Sequence, residues 1–374
     1  MKNIIFISTF VLSQTLLATT LTIYSSGIAL IQEQHHFGIF KNESQFIYED
    51  IPNSIVFDSL YTEFPEDVEL QYLTFKHQTK KSATITFNVH SDKTREGEVA
   101  LRYLTKNINF TTDYILNIND ETSDLSSWVN IYNNSGKDFK DTDINLLAGD
   151  INRVDSQHTP PVAYKATALM SSDRLPKHKA LQNYHLYRVP FQLTLNSGET
   201  KRLKLFEVEK LQTKNRYSAR AYNPLYLMGE RTSKVEREIE LPKLQKVLPA
   251  GRVRIYTQED KDTLLLGEVK VANTPKNTPI TLKVGQDFDT KVLQKVISRD
   301  DTKEQLEALI EYKLINNSTT DKIIELTIPF NKKRGSSIKS KLKYRFTKGN
   351  LATFTLKVKA QSERSFEVNF KTKR

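Results

Sequence analysis

The stretch WVNIYNNS at residues 128–135 decides how this chain folds. It consists of an alternating run typical of a β-strand, followed by Asn-Asn-Ser. A second stretch, EYKLINNS at residues 311–318, repeats this plan 183 positions later. Asn tolerates left-handed backbone and Ser closes turns, so each stretch predicts a hairpin with the strand after it. Two such hairpins predict two β-sandwich domains, with chance similarity of short turns as the alternative.

Similar alternating runs recur along most of the chain, for example at residues 83–89 and 186–195. Regular strands without alternating helices predict an all-β protein: multi-domain antiparallel β-sandwiches, an immunoglobulin-like C-terminal unit and little helix. The best helix candidate, residues 301–307, is expected to form one helical turn at most.

The predicted domains are an N-terminal β domain at 19–95, a central β domain at 96–300 and a C-terminal immunoglobulin-like β domain with a basic face at 301–374. Residues 153–184 are polar and rich in Pro, which predicts a long loop inside the central domain. Residues 212–234 form a second irregular stretch. Long loops on a β scaffold are where binding sites usually lie.

The composition excludes several classes of protein. Of the 374 residues, 38% are hydrophobic and 26% are charged, which suits a folded core rather than a disordered chain. The absence of Cys excludes disulfides, thiolate zinc sites, iron–sulfur clusters and a cysteine nucleophile. Stability must therefore come from burial and backbone pairing.

The N-terminus predicts export. Lys2 precedes an uncharged apolar run at residues 4–18 that is shorter than a spanning helix and ends in Ala18. We therefore predict a signal peptide at residues 1–18, with an uncleaved anchor as the alternative. No transmembrane segment is expected in the mature chain, which would be periplasmic or secreted.

Positive charge is concentrated at the C-terminal end. Residues 332–374 hold 14 basic and 2 acidic side chains, whereas the whole chain has a net charge of +11. In this tail Lys339, Lys341, Lys343 and Arg345 alternate with mostly apolar residues, so they are expected on one face of a strand. This face is a candidate anion-binding surface. The favoured alternative is a solvated face that protects a sheet edge.

The sequence carries no established catalytic motif. It lacks the phosphate-loop, dinucleotide-binding, hydrolase-elbow and zincin signatures. The Ser336–Lys339 spacing fits a serine-acylase motif, but an alternating strand would not bring Lys beside Ser as a helix does. Asp287 and Asp289 share a predicted strand face and could hold Ca²⁺, although a solvated pair is favoured. We expect no catalytic residue, no metal and no cofactor.

Several motifs resemble a known family over most of residues 20–330. They are W-V-x-I-x-N-x-S-G at 128–136, L-x-A-G-D-x-N at 146–152, LPAGRVRIY at 248–256, LGE at 266–268, TPK at 274–276 and G-x-x-F-D at 285–289. The chain thereby resembles the domain-of-unknown-function 4139 family, which includes mucoidy-inhibitor-A-like envelope proteins. It departs from that pattern in a short 91–98 segment and in Asn273, where the family has His. The resemblance implies architecture and an envelope location, and no reaction.

The motif residues have structural interpretations. Trp128 is expected to be a core anchor between two sheets. Pro249 fixes φ and Gly251 is free to take a positive φ in one turn, while Pro275 lies in a second turn. The structural motif residues are Trp128, Gly149, Asp150, Pro249, Gly251, Gly267, Pro275, Phe288 and Asp289, with Gly149 and Asp150 closing the strand before them.

Three hypotheses for function follow, in order of preference. The first is an exported, non-catalytic cell-envelope protein that serves as a β scaffold or binds an envelope partner. The second is a binder of anionic lipid or lipopolysaccharide through the basic C-terminal face. The third is a hydrolase with an unrecognised site. No nucleic-acid partner is expected, because the tail contains no recognised binding module.

Overall fold

A computed structural model describes residues 15–77, 82–119, 122–149, 177–181, 184–330, 336–347 and 351–373. Every helix or strand in these ranges is a β-strand, and the strands form several mainly antiparallel sheets. This confirms the all-β fold class. No helix in the ranges just given has the length and apolarity needed to cross a membrane. The segment predicted as one helical turn, residues 301–307, contains a strand end, a bend and a strand start.

The first unit, called the sandwich unit, packs an eight-stranded sheet on a five-stranded sheet. The eight-stranded sheet contains β1 (Thr15–Tyr24), β2 (Ile28–Ile39), β4 (Ile55–Glu63), β7 (Arg95–Lys106), β10 (Phe139–Ala148), β11 (Lys177–Leu181), β12 (Tyr184–Arg188) and β13 (Leu193–Leu195). The five-stranded sheet contains β8 (Ile108–Ile118), β9 (Ser123–Asn133), β14 (Glu199–Leu211), β17 (Gly251–Glu259) and β18 (Asp262–Val271). Inward side chains of both sheets, such as Ile23 and Ile131, form one core.

A small three-stranded unit lies at one end of the sandwich unit. Its strands are β3 (Asn42–Pro52), β5 (Val68–His77) and β6 (Ser82–Ser91). Phe46, Ile85 and Phe87 from this sheet pack with Phe37 of β2 and Leu101 of β7 into a core of their own. The three-stranded unit therefore depends on strands that it borrows from the sandwich unit.

The C-terminal unit is a nine-stranded sheet folded over on itself. Its strands are β15 (Lys214–Arg220), β16 (Glu230–Leu241), β19 (Ile280–Asp301), β20 (Gln305–Asn316), β21 (Lys322–Pro329), β22 (Ser337–Ser340), β23 (Arg345–Thr347), β24 (Leu351–Val358) and β25 (Ser362–Lys373). β22 and β23 lie at opposite edges although they are neighbours in sequence. The rings of Phe354 on β24 and Phe366 on β25 meet across the core at 5.0 Å.

Long strands pass from one core into the next. On β2, Ile31 belongs to the core of the sandwich unit and Phe37 to that of the three-stranded unit. On β19, Leu282 belongs to the sandwich core and Val292 to the C-terminal core. The cores therefore do not follow the predicted boundaries at 95/96 and 300/301. The reason is that inward and outward residues keep alternating along a strand that passes from one core into the next. The sequence therefore gives no sign of where one core ends.

The repeated Asn-Asn-Ser turns do not form the predicted hairpins. β9 lies in the five-stranded sheet, whereas β10 lies in the eight-stranded sheet. In the C-terminal unit, β20 pairs with β19 and β25, whereas β21 pairs with β15 and β24. Each turn is thus an arch that carries the chain from one layer to the other. Two later strands are also equivalent. β14 pairs antiparallel with β9, and β25 pairs antiparallel with β20.

Three further predicted segments overlap strands of the structure. The predicted loop 153–184 lies outside the described residues up to 176, but its end contains β11 and the first residue of β12. The predicted irregular stretch 212–234 contains β15 and the start of β16, so only its middle is irregular. The predicted signal segment lies outside the described residues up to residue 14, and β1 begins at Thr15.

Candidate functional site

The two arches are held by the same side-chain hydrogen bonds. In the first arch, Asn133 Nδ2 donates to the carbonyls of Lys137 (2.8 Å) and Leu195 (3.0 Å). Its Oδ1 accepts from the backbone N–H (3.1 Å) and the hydroxyl (2.8 Å) of Ser135. A buried amide thus satisfies backbone groups where the chain changes layers, which is why Asn suits this position.

The second arch repeats these contacts. Asn316 Nδ2 donates to the carbonyls of Thr320 (2.9 Å), Val358 (3.3 Å) and Lys359 (3.0 Å). Its Oδ1 accepts from the N–H (3.1 Å) and hydroxyl (2.7 Å) of Ser318. The sequence similarity of the two stretches therefore reflects one structural device used twice.

Each arch also delivers a buried lysine to a junction between cores. Lys137 follows the first arch, and its Nζ lies 2.6 Å from Glu33 Oε1 and donates to Tyr48 Oη at 2.8 Å. Glu33 lies on β2 between the two core residues that mark the junction, Ile31 and Phe37. Tyr48 comes from β3, so the cluster joins the three-stranded unit, β2 and the first arch.

The charge of Lys137 and hydrogen bonds together determine the protonation state of this first cluster. Burial raises the pKa of Glu33, but the charge of Lys137, the nearby His35 ring (3.5 Å) and hydrogen bonds from Lys137 and Tyr48 outweigh it and lower the pKa to about 2. Burial, aided by neighbouring Tyr103 and Glu33, raises the pKa of Tyr48 well above its ordinary value. Glu33 is therefore ionised and Tyr48 protonated at neutral pH, and neither is set to exchange a proton there.

A cavity of about 390 Å³ adjoins the cluster. His35 and Tyr48 line its wall, and Asp50 and Asp138 line it as well. Asp50 has a left-handed φ of 65° at a bulge in β3, between Tyr48 and Ile51. Burial raises the pKa of the Asp50 carboxyl. This size lies at the small end of ligand pockets, and carboxylates beside aromatic rings could bind a small polar molecule.

The second lysine occupies the other junction. Lys322 Nζ contacts Asp287 Oδ2 and donates to Thr290 Oγ1 at 3.0 Å. Its ammonium lies 4.8 Å from the ring centre of Tyr217. Asp287 lies on β19 between Leu282 of the sandwich core and Val292 of the C-terminal core. Each junction therefore contains an ion pair between a lysine that follows an arch and a carboxylate on the strand that both cores share.

Sequence reasoning missed the roles of Glu33, Tyr48, Lys137 and Lys322. A signal was present in β2, where the inward positions of an alternating strand read Ile31, Glu33, His35 and Phe37. Charged residues at inward positions of an apolar series indicate a buried partner, because an unpaired buried charge is very costly. The sequence alone does not say which lysine supplies that partner.

The predicted basic face is not one continuous strand. Lys339 lies on β22 at one edge of the folded sheet, and Arg345 lies on β23 at the other edge. Lys341 and Lys343 lie in the non-strand segment between them, and all four side chains are exposed. Arg345 also pairs with Glu325 at 2.5 Å. The prediction of one row of evenly spaced cations is therefore wrong. The predicted alternation of exposed cations with less exposed residues is correct.

The predicted core role of Trp128 is also wrong. Trp128 is only half-buried, on the outer face of the five-stranded sheet. Its ring lies 5.1 Å from the guanidinium of Arg202 and 5.9 Å from the ammonium of Lys204, and its indole N–H donates to Ser126 at 3.2 Å. The inward positions of β9 belong instead to Leu125, Ser127 and Val129, so the tryptophan has the opposite face of the strand.

Two motif glycines are explained by close approach rather than by turn geometry. A Cβ on Gly251 would lie 2.2 Å from the carbonyl oxygen of Thr112, to which β17 is paired. A Cβ on Gly267 would lie 2.7 Å from the carbonyl oxygen of Val284. Neither glycine needs a positive φ, which corrects the interpretation of Gly251.

The other turn residues lie near their predicted places. Pro249 precedes β17, and its carbonyl accepts from Tyr114 Oη at 2.7 Å. Pro275 begins the turn that follows β18. Gly149, with φ of 134°, directly follows β10, while Asp150 lies outside the described residues.

The remaining motif residues surround a bulge in β19. Three residues, 288–290, separate the partners of Lys234 and Val235 on the neighbouring strand. Phe288 is 89% exposed there, and Asp289 is exposed while Asp287 is turned toward Lys322. Asp287 and Asp289 therefore do not present one pair of carboxylates. Across the ranges that the structure describes, no three His, Asp or Glu side chains are grouped as metal ligands.

Comparison with protein-family models finds no match for this chain, and comparison with curated proteins finds none either. The family resemblance drawn from the motifs therefore stays a prediction.

Proposed function

We propose that the protein is an exported, non-catalytic scaffold of the cell envelope that holds binding surfaces in a fixed arrangement. The observation that carries this proposal is the use of the buried charges. Lys137 with Glu33, and Lys322 with Asp287, each join separate parts of the fold at a junction. β2 and β19 each run from one core into the next at these places, which restricts hinge motion between the cores, although β19 carries the bulge at 288–290. A fold held rigid in this way suits a protein that holds binding surfaces in place better than one that must move during catalysis.

Fractionation of the native host tests the export part of the proposal. Full-length protein with a C-terminal tag should be recovered outside the cytoplasm, with a mature N-terminus near Thr19 by mass spectrometry. The matched control lacks residues 2–18 and should stay in the cytoplasm. Recovery of unprocessed wild-type protein in the cytoplasm would contradict the proposal.

Chemical cross-linking in intact cells tests the scaffold part. A scaffold should give reproducible cross-links to one or a few envelope components, and these should persist in the Lys343→Gln variant, whose exposed side chain lies away from both junctions. Hydrolysis of a substrate by the purified protein, abolished by Glu33→Gln without loss of folding, would favour the enzyme hypothesis instead.

A second candidate function is binding to an anionic surface. The exposure of Lys339, Lys341 and Lys343 in the C-terminal unit supports it. The loss of even spacing argues that these cations act as a diffuse field rather than as a row that matches phosphates one by one.

A further inference from the structure

The wall of the cavity beside the first junction carries excess negative charge. Four carboxylates and two lysines line it, which gives a net charge of −2 with His35 counted as neutral. Glu33 and Lys137 neutralise each other there as a buried ion pair. The other charged residues of the wall are Glu49, Asp50, Asp138 and Lys140. None of these four forms an ion pair within the part of the chain that the structure describes. Three carboxylates without an ionic partner therefore share the wall with one ammonium.

A bulge in β3 brings two neighbouring carboxylates to this wall. Glu49 and Asp50 together oppose a single residue of β6, Thr84. Adjacent residues of a regular strand point to opposite faces, whereas here both residues line the cavity. The left-handed backbone of Asp50, with φ of 65°, lies at this change of direction. Bulges that redirect side chains in this way are frequent beside functional sites.

The arch holds the third carboxylate close to the other two. Asp138 directly follows Lys137, and its Oδ1 accepts from the N–H of Ser197 at 2.7 Å. Burial raises the pKa of the Asp50 carboxyl, the positive charge of Lys137 lowers it, and the negative charges of Glu33 and Asp138 raise it again. The carboxylates therefore repel one another across the cavity, and a bound cation would relieve this repulsion.

The cavity has room for an organic molecule. Its volume of about 390 Å³ lies within the range of ligand sites and is far larger than a metal ion needs. Its carboxylates are spread along the wall, and no three acidic or histidine side chains of the described residues are grouped as ligands of one metal ion. His35 is 4% exposed and lines the wall, and its Nε2 has no hydrogen-bond partner among the described residues. The wall therefore has polar groups that the protein itself does not use.

We propose that this cavity binds a small aliphatic diamine. Its two ammonium groups match the net charge of the wall, and each brings three N–H donors for carboxylates that lie apart. Asp50 and Asp138 are the main ionic partners, and Glu49 adds a third carboxylate. The methylene chain lies beside Tyr48 and Phe139, which also line the cavity. This inference goes beyond the proposed scaffold role and does not depend on it, since binding by purified protein requires neither export nor an envelope partner.

Isothermal titration calorimetry with putrescine, a four-carbon diamine, tests the proposal. The full chain is used, because Thr19 lines the cavity. Putrescine should bind the wild type, n-butylamine should bind about tenfold less tightly because it has one ammonium group, and uncharged 1,4-butanediol should not bind.

The test of the site is the Asp50→Asn/Asp138→Asn variant, which should bind putrescine at least about tenfold less tightly. Asn tolerates left-handed backbone at position 50 and keeps an oxygen for the Ser197 N–H, so the variant should fold. Glu49→Gln, at an exposed position, should weaken binding in the same direction. The matched control is Asp92→Asn, which removes a carboxylate whose side chain is 92% exposed and should leave binding unchanged.

Each outcome bears on one part of the proposal. Equal binding of 1,4-butanediol and putrescine would overturn the ionic recognition, and equal binding of putrescine by wild type and the Asp50→Asn/Asp138→Asn variant would overturn the site. Calcium chloride that displaces putrescine at a lower concentration than putrescine itself would assign the cavity to a metal ion instead. No binding of putrescine by the wild type would overturn the whole inference and would leave the scaffold proposal standing.

Discussion

The two junctions of this protein each contain a buried lysine–carboxylate pair, but the carboxylate has more hydrogen-bond donors at the first junction than at the second. At the first, the Glu33 carboxylate contacts Lys137, accepts from Tyr48 Oη and lies 3.5 Å from Tyr103 Oη. At the second, the Asp287 carboxylate contacts Lys322 and accepts one backbone N–H, that of Asp289, at 3.1 Å. Both ion pairs are almost wholly buried, so desolvation is similar and the difference lies in the number of donors.

The comparison teaches that the lysines are not equally replaceable. A buried carboxylate that loses its cation is stabilised only by the donors that remain. Two tyrosine hydroxyls remain at Glu33, whereas no side-chain donor in the described structure remains at Asp287. The simpler junction should therefore be the more fragile one.

The largest effect is expected for Lys322→Met. Methionine keeps the volume of the stem but leaves the Asp287 carboxylate buried without a cation. The free energy of unfolding should fall by about 3–5 kcal/mol, as measured by urea denaturation. Asp287→Asn/Lys322→Met should recover much of this loss, because it removes the buried charge together with its partner. A loss below about 1 kcal/mol for Lys322→Met would be typical of an exposed pair and would refute the buried-junction interpretation.

Lys137→Met makes the comparison quantitative. The remaining tyrosine hydroxyls donate to an ionised group, and each such hydrogen bond is worth about 1.5–3 kcal/mol. The expected loss is therefore smaller, about 2–3 kcal/mol. Lys343→Met, at an exposed position, should change stability by less than about 0.5 kcal/mol and serves as the control for both variants. If Lys137→Met costs more than Lys322→Met, the donor count does not explain the difference.

Acid should weaken the first junction within a defined range of pH. The pKa of Glu33 is lowered from 4.5 to about 2 in the folded protein, so its contribution is complete above pH 4.5 and is lost as pH falls through 2. A lowering of this size corresponds to about 3 kcal/mol. Urea denaturation between pH 2 and 6 should therefore show a smaller loss for Glu33→Gln than for wild type. Glu98→Gln, whose side chain is 57% exposed, should follow the wild-type curve.

The all-β fold and the repeat could be predicted because they depend on local pattern. Alternation of apolar and polar residues indicates a strand, and the two Asn-Asn-Ser stretches indicate the same kind of turn. The pairing partners could not be predicted, because β9 and β20 have the same pattern whether the next strand returns beside them or crosses to the other layer. The hairpin prediction failed for this reason. The predicted boundaries at 95/96 and 300/301 fall at the first residue of β7 and near the end of β19, where the alternation gives no sign of a change of core.

The candidate site was less accessible to sequence reasoning than the fold. Glu33 and Lys137 are 104 positions apart, and only the arch brings them together. The prediction for Trp128 was wrong for a related reason. The alternation of a strand does not say which of its two faces is inward when both faces carry apolar residues. Asp287 was noted as a candidate ligand, but its partner is a lysine delivered by the second arch.

The smallest effect in the comparison concerns the arches themselves. Asn133→Ala and Asn316→Ala each remove an amide that satisfies backbone carbonyls. Asn133 donates to two buried carbonyls, whereas the two N–H groups of Asn316 are shared among three carbonyls, of which those of Thr320 and Lys359 are only partly buried. An unsatisfied buried group costs about 1–3 kcal/mol, whereas a partly exposed carbonyl can bond to water, so Asn133→Ala should be the more destabilising variant by about 1 kcal/mol. Urea denaturation of both single variants and the double variant measures this difference. The losses should add within about 0.5 kcal/mol, because the two arches share no partner and lie in separate units. Strong non-additivity would instead show that the arches act as one coupled element, and the two junctions would then have to be treated as a single cooperative structure.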